Sequence, residues 1–455
     1  MNTIYKRAMV LYALIGAFVI GIGLFVAGIF MNGSEWASNR ANRHIYSNGT
    51  IVNAGTIYDI NGVELAKSSD NERIFAKSAA VRKAVLHVVG DTSGFISTGT
   101  HHIYRDVLSG YSLVEGIYNL KQTGTGNDIT LNIDSEANRI AYEALGNYDG
   151  AVAVYNYKTG QLLCSVSKPT YDIESRPDDL LTNEKYDGVF LDKVTSGVYT
   201  PGSIMKIITA ACAIENIPDI DSRTFECDGE FEVGNGSVIC NDVHGKVNFT
   251  EAMNESCNSA FAEISVELGA EKLLATAKAM GFNTQLYAKE IRLTKSRFSP
   301  SETSKSELGW AGIGQSTTLV NPAHFLSIMG AIANGGTGYA PDRIRSVGVF
   351  SEIVGRVPET VITIKPETAL KLNAMLRSNV EDEYGDWKFE NLQMCGKTGT
   401  AQIDGEKSHS WFAGYSQRSD LPLAVVCVAE HAGHGSGVAS SVSNKVMQYF
   451  LKEMT

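Results

Sequence analysis

Thr200-Pro201-Gly202-Ser203-Ile204-Met205-Lys206, running into the apolar stretch Ile207-Ile208-Thr209-Ala210-Ala211-Cys212-Ala213, is the segment on which the reading of this chain turns. The Pro-Gly pair stops whatever precedes it, and the apolar run predicts a buried helix after it. Ser203 and Lys206 then lie one helical turn apart on the same face. A desolvated lysine amine loses its proton readily and can take the one from a neighbouring serine, so the pair has the layout of an acylatable nucleophile with its own base. A Ser-x-x-Lys pattern alone is also an ordinary solvated helix start, and its meaning depends on what the rest of the chain supplies.

The chain has 455 residues, 44% of them hydrophobic and 20% charged, which suits a folded protein of two or three domains. A net charge of −11 with no basic cluster argues against nucleic acid as a partner. No internal repeat or low-complexity tract is present. Residues 8–31 carry no charged, Asn or Gln side chain and are preceded by Lys6-Arg7. That length spans a bilayer, and the flanking charges predict a cytoplasmic N-terminus (residues 1–7) with the rest outside. The run is longer than the apolar region of a cleaved signal peptide.

A polar connector, Asn32 to Asn53 with Arg40 and Arg43, follows. Gly55-Thr56-Ile57-Tyr58-Asp59 then reads as a strand and Asn61-Gly62 as a turn. Residues 55 to about 130 mix short strands with Gly-rich turns such as Ser93-Gly94 and Gly124-Thr125-Gly126 and show no helical period, which predicts an irregular β-rich module. Ala137, Ile140, Ala141, Ala144 and Leu145 follow helical spacing behind a cap at Asp134 or Ser135. Ala151–Tyr155 and Leu162–Val166 read as strands joined by Lys158-Thr159-Gly160. Helices are predicted to dominate from Ser203 to about residue 335, with strands again at 396–402, 410–415 and 421–430 and a last helix over 443–452. Strands at both ends with helices between them predict an α+β domain, one antiparallel sheet with helices on each face. The expected division is 1–7 tail, 8–31 anchor, 32–135 N-terminal pedestal and 136–455 main domain.

Two further polar elements join the first. Ser256-Cys257-Asn258 sits between an acidic-to-apolar segment and Ala260-Phe261; read alone, it is a helix cap. Lys397-Thr398-Gly399-Thr400 opens a late strand, where the glycine leaves room for close backbone approach and the lysine and hydroxyls can seat a carboxylate. Of the seven cysteines, Cys227 and Cys240 bracket a hairpin-like segment and are expected as a disulfide, with unpaired thiols as the alternative; no Cys/His spacing resembles a zinc site.

Serine-x-x-lysine, serine-x-asparagine and lysine-threonine-glycine, in that order and 53 and 141 residues apart, resemble the signature set of penicillin-binding proteins and serine β-lactamases. The likeness covers nearly the whole chain. Gly55–Asp59 with Asn61-Gly62 and Leu65-Ala66 resembles the opening of the class B N-terminal module, Leu131–Asp134 and Gly150-Ala151-Val152 resemble the entry to its transpeptidase domain, and Thr159-Gly160 with Ser167–Asp172 resembles the hairpin that follows. Gly312–Gln315, Ala333–Gly336 and Trp411–Gly414 match later landmarks of that domain. Ala54 and Ile60 depart from it, standing where arginines are usual.

The resemblance implies a peptidoglycan D,D-transpeptidase that needs no cofactor or metal and is a target of β-lactams. By the same resemblance Ser203 is the nucleophile, Lys206 its base and Ser256 the relay to the leaving D-alanine. Asn258 holds a substrate amide and the lysine. Lys397, Thr398, Gly399 and Thr400 seat the terminal carboxylate, and the backbone N–H groups of Ser203 and Thr400 form the oxyanion hole. Implied partners are peptidoglycan stem peptides, the membrane and a membrane glycosyltransferase of the elongation, division or sporulation machinery. A D,D-carboxypeptidase remains an alternative, because the acceptor is not written in the sequence. A β-lactamase of the same fold is disfavoured because neither Glu290 nor Glu302 sits in the deacylating pattern. A β-lactam sensor lacks a sufficient cytoplasmic part, and a silent divisome scaffold does not need three intact motifs.

Overall fold

The computed structural model describes residues 2–39, 46–47, 50–51, 53–69, 72–112, 116–117, 126–348, 357–403, 405–433 and 437–454. Arg40, Arg43 and the Gly124-Thr125 turn lie outside the described residues.

The N-terminal helix α1 (Asn2–Ala37) has a window of mean hydropathy 2.6, none of which is buried against the protein. It is long and apolar enough to cross a membrane. The helix runs on to Ala37, six residues past the end of the apolar stretch, so the connector begins later than its polar composition suggests.

The main sheet consists of β1 (Gly150–Asn156), β2 (Leu162–Lys168), β3 (Met394–Ile403), β4 (Glu406–Ser416) and β5 (Leu423–Ala429). Their order is β2-β1-β5-β4-β3, with every neighbour antiparallel. The strands are apolar on both sides, because both faces are covered. Ala151, Ala153 and Tyr155 of β1 pack with Trp411, Ala413, Val426 and Val428 on one face. Val152 and Val154 pack with Phe412, Val425 and Cys427 on the other. The second face is closed by α2 (Ser135–Ala144), capped by the Asp134 carboxylate on the N–H groups of Glu136 and Ala137. On the first face, α3 (Lys206–Asn216) packs on α4 (Asn258–Ala279), while α5 (Pro322–Ala333) lies directly on β1, β4 and β5. The C-terminal helix α6 (Val438–Met454) joins α2 on the second face and starts earlier than its amphipathic pattern indicates. Each fully buried valine or phenylalanine in these layers contributes about 1.5–3 kcal/mol.

Two regions differ from the sequence reading. The segment between α3 and α4 is not helical throughout: Thr224–Cys227 pairs with Gly245–Asn248, and Glu230–Val233 pairs with Gly236–Ile239. Among its described residues the β-rich module contains four short helices, Ala79–Ala84, Leu86–Val89, Thr100–Ile103 and Arg105–Leu108, each too short to print a period on the sequence.

That module is built on a second sheet, ordered 344–347, 129–131, 57–58, 64–69, 72–75. Its first strand comes from deep in the main domain. The Asp59 carboxylate accepts from the N–H groups of Asn61 and Val63 and from Ser135 Oγ at 2.6 Å, tying the module to the first residue of α2. Arg82 forms a two-pronged ion pair with Asp172 across the same junction. Where arginine is usual at position 54, the Ala54 carbonyl instead accepts from the buried Arg73 guanidinium, which also reaches Gly55 O and His101 Nε2.

Candidate active site

The Ser203 segment begins as a single 3-10 turn, Gly202–Met205, and continues as α3. Its tight approach to β3 depends on glycine: Gly202 has φ 58°, and a Cβ there would lie 2.4 Å from the Thr400 carbonyl oxygen. Lys206, on the first turn of α3, is 0% exposed. Its Nζ lies 3.3 Å from Ser203 Oγ, 3.1 Å from Ser256 Oγ and 2.7 Å from Asn258 Oδ1, and it donates to Ser256 O. Ser256 occupies the three-residue break between helix Phe249–Asn254 and α4 with φ 54°, a left-handed conformation uncommon for a residue with a side chain. That bend turns both its hydroxyl and its carbonyl toward Lys206. Asn258 is fixed in turn by donating Nδ2 to Ile239 O at 3.0 Å.

Burial pushes the Lys206 pKa well below that of a free lysine, and the Lys397 charge lowers it further. Both effects disfavour the ammonium form. A neutral amine within reach of two hydroxyls can take a proton from one and return it through the other.

Lys397, also 0% exposed, stands on the edge strand β3. Its Nζ donates to Tyr384 Oη at 3.3 Å, and the Tyr384 hydroxyl also meets Thr398 N–H at 3.0 Å and Thr398 Oγ1 at 2.9 Å. Burial alone would raise the Tyr384 pKa; the Lys397 charge and the Thr398 hydrogen bonds outweigh it and bring the net shift down. Tyr384 ends a π-helical stretch, Asn379–Tyr384, a rare geometry that often marks functional positions. No sequence motif flags it; the only signal was a tyrosine followed by glycine ahead of the Lys397 strand.

Ser203, Asn258 and Thr400 line a common cleft of about 200 Å3 with Ile239, Trp310 and Gln315. Larger hollows exist, of about 620 Å3 beside Asn283 and Arg297 and about 570 Å3 beside Lys168 and Tyr186, but neither contains a nucleophile paired with a base. Chemistry rather than size picks out the cleft.

Residues 150–448 match the family model of the penicillin binding protein transpeptidase domain. The chain belongs to this family. Peptidoglycan D,D-transpeptidase PbpA of Mycolicibacterium smegmatis is 25% identical over 412 residues, covering 79% of this chain and 81% of that protein. The D,D-transpeptidase domain of a peptidoglycan glycosyltransferase from Eggerthella lenta superposes with a TM-score of 0.74 at 26% identity, over 88% of this chain and 98% of that one. Penicillin-binding protein A from M. tuberculosis, solved as a cephalosporin acyl-enzyme, shares the fold with a TM-score of 0.76 at 21% identity, over 87% and 97% of the two chains. The class B resemblance and the α+β fold read from the sequence therefore stand. The protein is a serine-type penicillin-binding transpeptidase.

Within this transpeptidase fold two sequence expectations need correction. Gly399 makes room for protein rather than ligand: a Cβ there would lie 2.7 Å from Pro201 O and 3.2 Å from Ile204 Cγ2, so the glycine lets the Ser203 turn dock on β3. Cys227 and Cys240 are not joined; both are free thiols. The hairpin between them closes as expected, but the strand ending at Cys227 pairs outside it with Gly245–Asn248, and both sulfurs turn inward beside His244.

Proposed function

We propose that this chain is a membrane-anchored peptidoglycan D,D-transpeptidase with Ser203 as nucleophile. The observation that carries the reading is the contact set of Lys206, a fully buried amine within 3.3 Å of Ser203 Oγ, Ser256 Oγ and Asn258 Oδ1. Ser203 Oγ adds to the carbonyl carbon of the penultimate D-alanine of a stem peptide while its proton passes to Lys206 Nζ. The N–H groups of Ser203 and Thr400 hold the oxyanion, the first at a helix start where the backbone dipoles favour negative charge. The tetrahedral intermediate collapses, the C–N bond breaks, and the departing D-alanine takes the proton through Ser256 Oγ. Lys397 with Thr398 and Thr400 seats the terminal carboxylate. An amine of a second stem peptide then attacks the ester, forms the crosslink and returns a proton to Ser203 Oγ.

β-Lactams present the same acyl and carboxylate groups and acylate the same serine. The helix α1 anchors the chain once through the membrane, with Lys6 and Arg7 on the cytoplasmic side and residues 32–455 outside. Residues 32–135 form the pedestal and 136–455 the transpeptidase domain. A membrane glycosyltransferase of the elongation, division or sporulation machinery supplies the glycan strands.

The test is labelling of the full chain in membranes by a fluorescent penicillin. The wild type is expected to label covalently and Ser203→Ala to lose the label entirely. Persistent labelling of that variant removes Ser203 from the role. Incubation of a stem-peptide donor with an amine acceptor is expected to yield the crosslinked product; release of D-alanine alone identifies a carboxypeptidase.

A further inference from the structure

Directly behind the Ser256–Asn258 motif, Cys227, Cys240, His244 and Cys257 converge so that their three sulfurs and one imidazole nitrogen all lie within 4.8 Å of one another. From this geometry we propose that the four residues bind a structural zinc ion that holds the catalytic motif in place. A tetrahedral zinc with Zn–S near 2.3 Å and Zn–N near 2.0–2.1 Å requires ligand atoms about 3.5–3.8 Å apart. His244 Nδ1 lies 3.4 Å from Cys227 Sγ and 3.5 Å from Cys240 Sγ, and Cys240 Sγ lies 3.9 Å from Cys257 Sγ. These three separations are close to those of a four-ligand shell, and the remaining pairs, within 4.8 Å, need only side-chain adjustment to close on a metal, whereas a disulfide needs sulfurs about 2.05 Å apart.

The chemistry of the shell points the same way. Three thiolates and one imidazole form one of the common closed, all-protein zinc sets, with soft ligands that exclude magnesium and calcium. The three cysteines are at most 8% exposed and His244 is half-buried beside them, so the thiolates are shielded from solvent. Backbone N–H groups already point at the sulfurs: Asn258 N–H donates to Cys240 Sγ at 3.1 Å and Ala260 N–H to Cys257 Sγ at 3.4 Å, the outer-shell bonds that steady a metal-bound thiolate. The spacing Cys-x12-Cys-x3-His-x12-Cys is too wide for a short zinc-finger pattern, which is why the sequence reading found no metal site.

The ligands come from four different pieces of backbone. Cys227 ends a strand, Cys240 closes the inner hairpin, His244 precedes the returning strand and Cys257 caps α4. Cys257 is the middle residue of the catalytic Ser-Cys-Asn triplet. A metal bound there clamps Ser256 in its left-handed conformation and fixes Asn258 against Lys206 from behind. Outside the membrane, where free thiols oxidise, it also keeps three adjacent cysteines from pairing wrongly.

The full-length chain, purified in detergent without chelator, is expected to carry about one zinc per chain by elemental mass spectrometry. Exchange with cobalt is expected to give thiolate-to-metal charge-transfer bands and the visible spectrum of a tetrahedral cobalt(II) centre. His244→Ala is expected to lower zinc affinity by more than about tenfold, and His244→Cys, which swaps one zinc donor for another, to retain the metal. Stripping the wild type with a chelator is expected to slow penicillin acylation, and zinc but not magnesium to restore it. Protein that labels fully with penicillin yet holds no zinc overturns the proposal. So does peptide mapping that finds a disulfide between any two of the three cysteines. Both readouts use the wild-type chain, so a ligand variant that fails to fold does not blunt the test.

Discussion

Tyr384→Phe is the most informative single change outside the three motifs. It removes one oxygen atom and leaves the ring in place. In the wild type that oxygen meets Thr398 N–H at 3.0 Å, Thr398 Oγ1 at 2.9 Å and Lys397 Nζ at 3.3 Å. Its loss leaves the part-buried Thr398 N–H without its side-chain acceptor and Lys397 with one contact fewer. A fully buried unsatisfied donor costs about 1–3 kcal/mol, which is the upper bound for this part-buried one. If the hydroxyl positions Lys397 and Thr398 for the substrate carboxylate, that energy is missing at the transition state, and acylation slows by at most roughly fivefold to 150-fold. The assay is the second-order rate of labelling by a fluorescent penicillin, read beside the melting temperature. A fall of about 2–4 °C per kcal/mol is expected from the structural part alone. A variant that melts lower but acylates at the wild-type rate refutes the positioning role and reduces Tyr384 to a prop for the strand.

Two further outcomes follow from packing and protonation. Gly399→Ala drives a methyl to 2.7 Å from Pro201 O, so the Ser203 turn must shift; a cost of about 1–3 kcal/mol in stability is expected, with acylation depressed more than in an alanine substitution on the far face of the sheet. An unchanged acylation rate shows that the turn does not rest on β3. His324 is buried, with its ring nitrogens on Ser296 Oγ and Met280 O, and burial holds its pKa down at about 4. Between pH 6.5 and about 4 only the unfolded chain takes up this proton, so stability is full above pH 6.5 and is lost on acidification, by about 3 kcal/mol from this group. A melting temperature that stays flat across that window contradicts the neutral, buried ring.

Much of the site was legible because chemistry forced short patterns. Ser203 and Lys206 must share one turn, Ser256 and Asn258 one bend, and Lys397 and Gly399 one strand, so each pair is close in sequence. The main strands were legible for a related reason: buried on both faces, they read as unbroken apolar runs. Tyr384 escaped because a π-helical stretch has no recognisable spacing. His244 escaped because its partners are brought together by hairpins rather than by neighbouring positions. The role of Gly399 was misread because a sequence shows that a side chain is missing without showing what fills the space.

The sheet of the N-terminal module has a consequence for how the molecule is made. Its Ile129–Leu131 strand is covered by Ile344–Val347, and Asn132 binds the Asp342 carbonyl across 210 positions of chain. A chain made from its N-terminus therefore has an incomplete sheet until residue 347 has been synthesised, by which time the Ser203 and Ser256 segments are already made. A cut between residues 135 and 136 strips the outer strand from one fragment and leaves that strand stranded on the other, so the two halves are expected to regain activity only when coexpressed.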